Sequence, residues 1–160
     1  MRWFSMAVLT ILSGMPTIAR ADWAYTKWDM TVAEVVAASD GKATENPSVE
    51  ADSSADRIGK LVAPYQSGSL EFRALFSFDR KTERLISVNL KLLKAEDLPL
   101  LSSALTSKYG KPLEQSEFDL GTVKRWIDRD NNNVIMLYTI GDDTVAVEYS
   151  AAENANNSGL

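Results

Sequence analysis

Leu70-Glu71-Phe72-Arg73-Ala74-Leu75-Phe76-Ser77-Phe78-Asp79 is the strongest period-two run in the chain. Leu70, Phe72, Ala74, Phe76 and Phe78 alternate with Glu71, Arg73, Leu75, Ser77 and Asp79. In an extended strand the two sets go to opposite faces. Asp79-Arg80-Lys81-Thr82 reads as a turn into a second run over residues 85–92, where Ile86, Val88, Leu90 and Leu92 share a face. Two such runs around a polar turn predict an antiparallel hairpin.

Upstream of the hairpin, residues 58–63 read as a third strand, with Pro64 marking an edge position or a strand end and residues 66–68 a turn. Residues 42–56 are dominated by Ser, Asp, Glu, Thr and Asn, with Val49 the one large apolar residue, and are expected to be a mobile, solvated loop. The clearest helix start lies before it, in Trp28-Asp29-Met30-Thr31-Val32-Ala33-Glu34-Val35-Val36. Thr31 and Glu34 have the spacing of a capping box, and Met30 and Val35 that of a hydrophobic staple. This helix is expected over 31–39, with Gly41 as its left-handed terminal residue. Trp23 to Lys27 alternates like a short strand, and Trp23, Tyr25 and Trp28 are expected to pack around the helix rather than stack on a ligand.

Downstream, Asp97 is a candidate N-cap and Pro99 falls in the first turn of a second helix. Leu98, Leu101, Leu105 and Tyr109 form its apolar stripe, and Gly110 and Pro112 stop it. Three further strands follow over 123–128, 134–140 and 144–150, and residues 151–160 read as a disordered tail. The expected fold is therefore α+β: an antiparallel sheet with two helices on one face, in the order β-α-βββ-α-βββ. Two helix-plus-three-strand units in succession point to a degenerate duplication without a residue-level repeat.

Met1-Arg2-Trp3 is a short basic leader, residues 4–12 are apolar and uncharged, and Ala19-Arg20-Ala21 is a small-x-small cleavage pattern. Residues 1–21 are thus expected to be a signal peptide cleaved after Ala21, leaving one domain over 22–150 in the periplasm. Removing Arg2 and Arg20 from 17 basic residues leaves 15 against 22 acidic ones, a net charge of −7. That balance argues against nucleic acid and anionic membranes as partners, and no stable membrane insertion is expected after cleavage.

Trp28-x-Met30-Thr31-x-x-Glu34, the Phe-rich hairpin and Tyr109-Gly110-x-Pro112 together resemble small exported bacterial proteins of unknown function. The layout is similar to the helix-plus-meander units of beta-lactamase-inhibitor-like and small outer-membrane-assembly proteins. The resemblance implies a binding or assembly module and brings no catalytic residues with it. The chain has no cysteine, so it departs from the outer-membrane-assembly lipoproteins.

Without histidine or cysteine, Ser-His-Asp and Cys-His arrangements and ordinary zinc or copper sites cannot be built. Asp128, Asp130 and Asn132 match the first three ligand positions of a calcium loop, but Asn133 stands where the glycine belongs and Thr139 where the bidentate Glu belongs. A polar hairpin turn accounts for these residues better. Asp142-Asp143 and Glu96-Asp97 are explained as a turn and a helix start, and Glu45, Glu50, Asp52 and Asp56 as solvated loop acids. No metal, cofactor or catalytic residue is assigned.

The expected function is a non-enzymatic module binding an envelope protein, as an inhibitor or assembly accessory. A small-ligand carrier and a carboxylate-based hydrolase are the alternatives. Residues 134–140 are apolar on both faces, unlike a strand with one face in water. Trp126, Leu75, Leu85 and either Ile135 with Leu137 or Val134 with Met136, depending on register, are expected on the face away from the helices. Either the N-terminal aromatic segment covers them or they form the partner surface, with Trp126, Leu137, Leu75 and Leu85 its candidate residues.

Overall fold

The computed structural model describes residues 22–152. The leader expected over 1–21 and the tail from residue 153 onward lie outside the described residues. The chain forms strands β1 (Asp22–Trp23) and β2 (Thr26–Lys27), helix α1 (Val32–Ala38), and strands β3 (Thr44–Glu45), β4 (Arg57–Ser67), β5 (Leu70–Asp79) and β6 (Leu85–Leu92). A 3-10 turn at Ala95–Asp97 then leads into helix α2 (Leu98–Tyr109), followed by β7 (Glu114–Phe118), β8 (Gly121–Asp128), β9 (Asn133–Ile140) and β10 (Thr144–Ala151). β10 reaches Ala151, and the amide of Ala152 donates to Asn132 O, so the polar end begins beyond these two residues.

β1 and β2 form a small hairpin, and the other strands make one eight-stranded sheet in the order β3-β4-β5-β6-β10-β9-β8-β7. Every pairing in it is antiparallel. The order is symmetric about β6·β10: each helix is followed by a short outer strand and a three-strand meander, and the two meanders join by their last strands. The result is an α+β architecture. Among the described residues no helix is long and apolar enough to cross a membrane.

α1 starts as its sequence dictates. The Glu34 amide donates to Thr31 Oγ1 at 3.3 Å, and the Thr31 amide donates to Glu34 Oε2 at 2.7 Å, completing the capping box. The stop differs from expectation by one residue. Asp40 takes the first left-handed position at φ 54°, with Gly41 following at φ 75°. The amide of Asp40 donates to Ala37 O and that of Gly41 to Val36 O, the two bonds of a Schellman motif. Before α2, Asp97 occupies the N-cap position without a side-chain cap bond.

Alternation and register define the core side of the sheet. Phe72, Ala74 and Phe76 align across the strands with Leu92, Leu90 and Val88, and these in turn with Val147 and Tyr149, Leu137 and Ile135, and Trp126. Val35 of α1, Leu101 and Leu105 of α2, and Trp23 and Trp28 belong to the same continuous core. The Trp28 indole N–H donates to Asn133 Oδ1 at 2.9 Å, tying the N-terminal segment to the far half of the sheet.

Candidate interaction surface

Three of the four residues expected to form a partner surface lie inside the protein. Trp126 is 1% exposed and its indole N–H donates to Gly110 O at 2.9 Å. Leu137 and Leu85 are equally buried. The cause is register. Trp126 pairs with Ile135, on the core side, and a bulge between Ser77 and Phe78 sets Leu85 opposite Phe78 while Ser87 remains opposite Ser77. Leu85 is thereby turned onto the face that its strand parity would have denied it. Leu75 alone lies on the opposite, open face, where it is half-buried.

The open face of the β7–β10 half carries a different apolar group. Val123 and Tyr138 are cross-strand partners there, with Met136 and Ile140 two residues to either side of Tyr138. Phe118 stands at the same end of the sheet, paired with Gly121, which pairs in turn with Ile140. Phe118 is 46% and Ile140 41% exposed. The signal for this surface was the two-faced apolar character of β9; what the sequence lacked was the register that puts Ile135 and Leu137 inside and Met136, Tyr138 and Ile140 outside.

Charged residues frame this group in pairs. Arg57 Nη1 meets Glu148 Oε1 at 2.7 Å, and Arg125 Nη1 meets Glu114 Oε2 at 3.3 Å. The Tyr138 hydroxyl donates to Met136 Sδ at 2.9 Å. Burial, reinforced by the Glu148 carboxylate and opposed by Arg57, pushes the Tyr138 phenol up to about 12.

On the other half of the open face, part of the 42–56 segment lies against β4 and β5. Asn46 Nδ2 donates to Gly59 O and to Asp52 Oδ2, and Arg73 Nη2 donates to Asn46 Oδ1 and to Asp52 Oδ2. Gly59 is required by this contact, because a Cβ there would stand 2.7 Å from Asp52 O. Between the segment and the sheet lies a polar cleft of about 290 Å³, lined by Asp52, Ser53, Arg57, Leu75, Asn89 and Glu148. Its two carboxylates each face an arginine.

A second cavity, of about 380 Å³, opens on the core side between α2 and the N-terminal hairpin. Trp23, Tyr65 and Tyr149 form its aromatic wall, and Lys108, Tyr109 and Asp128 its polar end. Trp23 also packs on Tyr65 at 4.9 Å and on Phe76 at 6.0 Å between ring centroids, so it is a core residue as well as a cavity wall. Burial first, and then Tyr109, push the Tyr149 phenol far above its ordinary value.

The Asp128–Asn133 stretch is the turn between β8 and β9. Asp128 Oδ1 accepts the amides of Asp130 and Asn131 at 3.1 and 3.2 Å, and Oδ2 accepts Asn131 Nδ2 at 2.8 Å. Asn132 sits at φ 52°. Asp128 thus spends its oxygens on an Asx turn. Among the described residues no three carboxylates assemble into a metal-binding group. Comparison with family models, curated proteins and solved structures finds no significant match.

Proposed function

We propose that the protein is a non-enzymatic interaction module of the periplasm that binds an envelope protein through the open face of β7–β10. In this reading both helices and the N-terminal hairpin cover one face of the sheet; the core that Val35, Leu101, Leu105 and Trp23 share with Phe76, Val88 and Val147 supports it. The opposite face is left to the partner. The observation that carries the proposal is the group Phe118, Val123, Met136, Tyr138 and Ile140 on that face, with Phe118 and Ile140 accessible to solvent. An apolar group framed by charged residues is a usual feature of a protein-binding surface. Asp52 and Glu148, the carboxylates of the open-face cleft, are each held by an arginine, which favours binding over acid–base chemistry. The basic leader and the Ala19-Arg20-Ala21 pattern support the periplasmic assignment.

The test is capture from an envelope extract with the wild-type chain and with Ile140→Asp and Phe118→Asp. The proposal expects one protein retained by wild type and lost from both variants, each melting within a few degrees of wild type. A partner retained equally by both variants overturns it.

The aromatic cavity beside α2 favours a second reading, a carrier of a small organic ligand. Native mass spectrometry of the protein purified from its own host would show bound mass under that reading.

A further inference from the structure

The two edges of the sheet are built differently. Along β4, the short strand β3 pairs with Leu61 and Val62, the Asn46 amide donates to Lys60 O, and Ser53 Oγ accepts the Gly59 amide. Pro64 has no N–H to offer at the next outward position. The outermost strand here, β3, is two residues long, so this edge offers little backbone to another strand.

At the other end, no described strand lies beyond β7. All five of its residues are exposed, its pairing with β8 carries no bulge, and it contains no proline. Phe118 and Gly121 flank a two-residue turn. The Gly141 amide donates to Leu120 O, so Leu120 bonds toward β9 and alternation turns Gly121 toward β7, as the hydrogen-bonded partner of Phe118. Antiparallel alternation then gives Ser116 and Glu114 to β8 and points the N–H and C=O of Gln115 and Glu117 outward. An open backbone row of this kind is a template for strand addition.

The side chains define which strand fits. Leu113, Phe118 and Leu120 are exposed along this edge and its turn, at 58, 46 and 70%. Glu114, Glu117 and Asp119 share the same stretch. The Gly141 amide donates to Leu120 O at 2.7 Å, which brings the turn carrying Asp142 and Asp143 alongside. Arg125 balances Glu114, but among the described residues Glu117, Asp119, Asp142 and Asp143 have no ion pair. A second copy joined through β7 would set this acidic stretch against itself, and like charges across strands are destabilising.

We propose that β7 accepts, by strand addition, an extended segment of a partner protein in which apolar residues alternate with Lys or Arg; the inference rests on the interaction-module reading above. The apolar residues of the added strand lie on the open face beside Ser116 and Phe118. Its cations lie on the other side, against Gln115 and Glu117. The apolar group on the open face then continues across the new strand.

The experiment titrates the chain from Asp22 onward with a ten-residue peptide of alternating valine and lysine, read by amide hydrogen exchange and chemical shift. Binding is expected to protect the amides of Gln115 and Glu117. The matching valine–glutamate peptide is expected to bind at least tenfold more weakly. Gln115→Pro removes an outward donor without touching the β8 pairing, and Glu117→Lys reverses the charge; each is expected to weaken the valine–lysine peptide at least tenfold. Binding that leaves both amides unprotected, or that neither variant weakens, overturns the inference. So does a wild-type dimer that Gln115→Pro dissolves. Because the peptide is read directly on β7, an open-face variant such as Ile140→Asp that keeps its envelope partner defeats the functional proposal without altering this result.

Discussion

Arg57 and Glu148 meet at 2.7 Å although they are 91 positions apart in sequence and the strands β5 and β6 lie between them in the sheet. The residues paired near this crossing, Ser77 and Ser87, are both small, which leaves the arginine room to reach across the open face. Glu148 is the less exposed partner, with 14% of its side chain accessible against 42% for Arg57. The pair therefore ties the first meander to the second at the surface, beside the β6·β10 seam.

Tyr138 reports on this pair. Glu148→Gln removes a negative charge that opposes phenolate formation, so the Tyr138 phenol should titrate below its present value of about 12. Arg57→Ala removes a favourable cation and should push it higher. Ultraviolet titration of the two variants checks both signs, and shifts in the same direction would contradict the arrangement.

The capping box of α1 makes a prediction in acid. Thr31 holds the Glu34 carboxyl below its ordinary value of 4.5, through its backbone amide first and its hydroxyl second. A depressed folded-state value gives stability that is present above the unfolded value and lost as pH falls through the folded one. Thr31→Ala should cost about 1 kcal/mol at neutral pH. It should also flatten the loss of stability below pH 4.5, seen by urea denaturation across that range.

Alkali should act through Tyr149. Its burial, with Tyr109 beside it, raises the folded-state value above the ordinary 10.0. Above pH 10 the unfolded chain releases a proton that the folded chain retains, so stability falls as pH rises. Tyr149→Phe should reduce the steepness of alkaline unfolding followed by circular dichroism.

Trp126 separates what the sequence revealed from what it left open. The Leu70–Asp79 alternation, the Thr31/Glu34 spacing and the Gly110 stop each contain their own local physics, and the corresponding elements formed where expected. The face taken by Trp126 depends on pairing partners elsewhere in the chain. Val123-Lys124-Arg125-Trp126-Ile127-Asp128 has no clean alternation, so only the pairing with Ile135 decides it. The bulge that turns Leu85 inward and the short strands β3 and β7 are likewise products of tertiary pairing. Trp126→Ala should destabilise the protein by about 3–5 kcal/mol, a core cost, measured by chemical denaturation. A change under about 1 kcal/mol would return the residue to the surface.

Gly121 tests how the second meander carries its edge strand. Its φ is not in the left-handed region, so the requirement for glycine here is space rather than backbone conformation. A Cβ would fall 1.7 Å from Thr139 O and 2.8 Å from Thr139 C. Both are backbone atoms of β9, which cannot swing aside as a side chain can. Gly68 provides the opposite case: it sits at φ 60° in the β4–β5 turn, and a Cβ there meets nothing within 4 Å. Gly68→Ala should therefore cost about 1 kcal/mol from backbone strain alone. Gly121→Ala should cost about 1–3 kcal/mol or more, because β8 must separate locally from β9. Since β7 is held to the sheet through β8, the separation should appear as faster hydrogen exchange of the β7 and β8 amides while those of β5 and β6 keep their protection. Equal costs for the two substitutions, with exchange unchanged in β7, would show that the Gly121–Thr139 approach relaxes without opening the sheet.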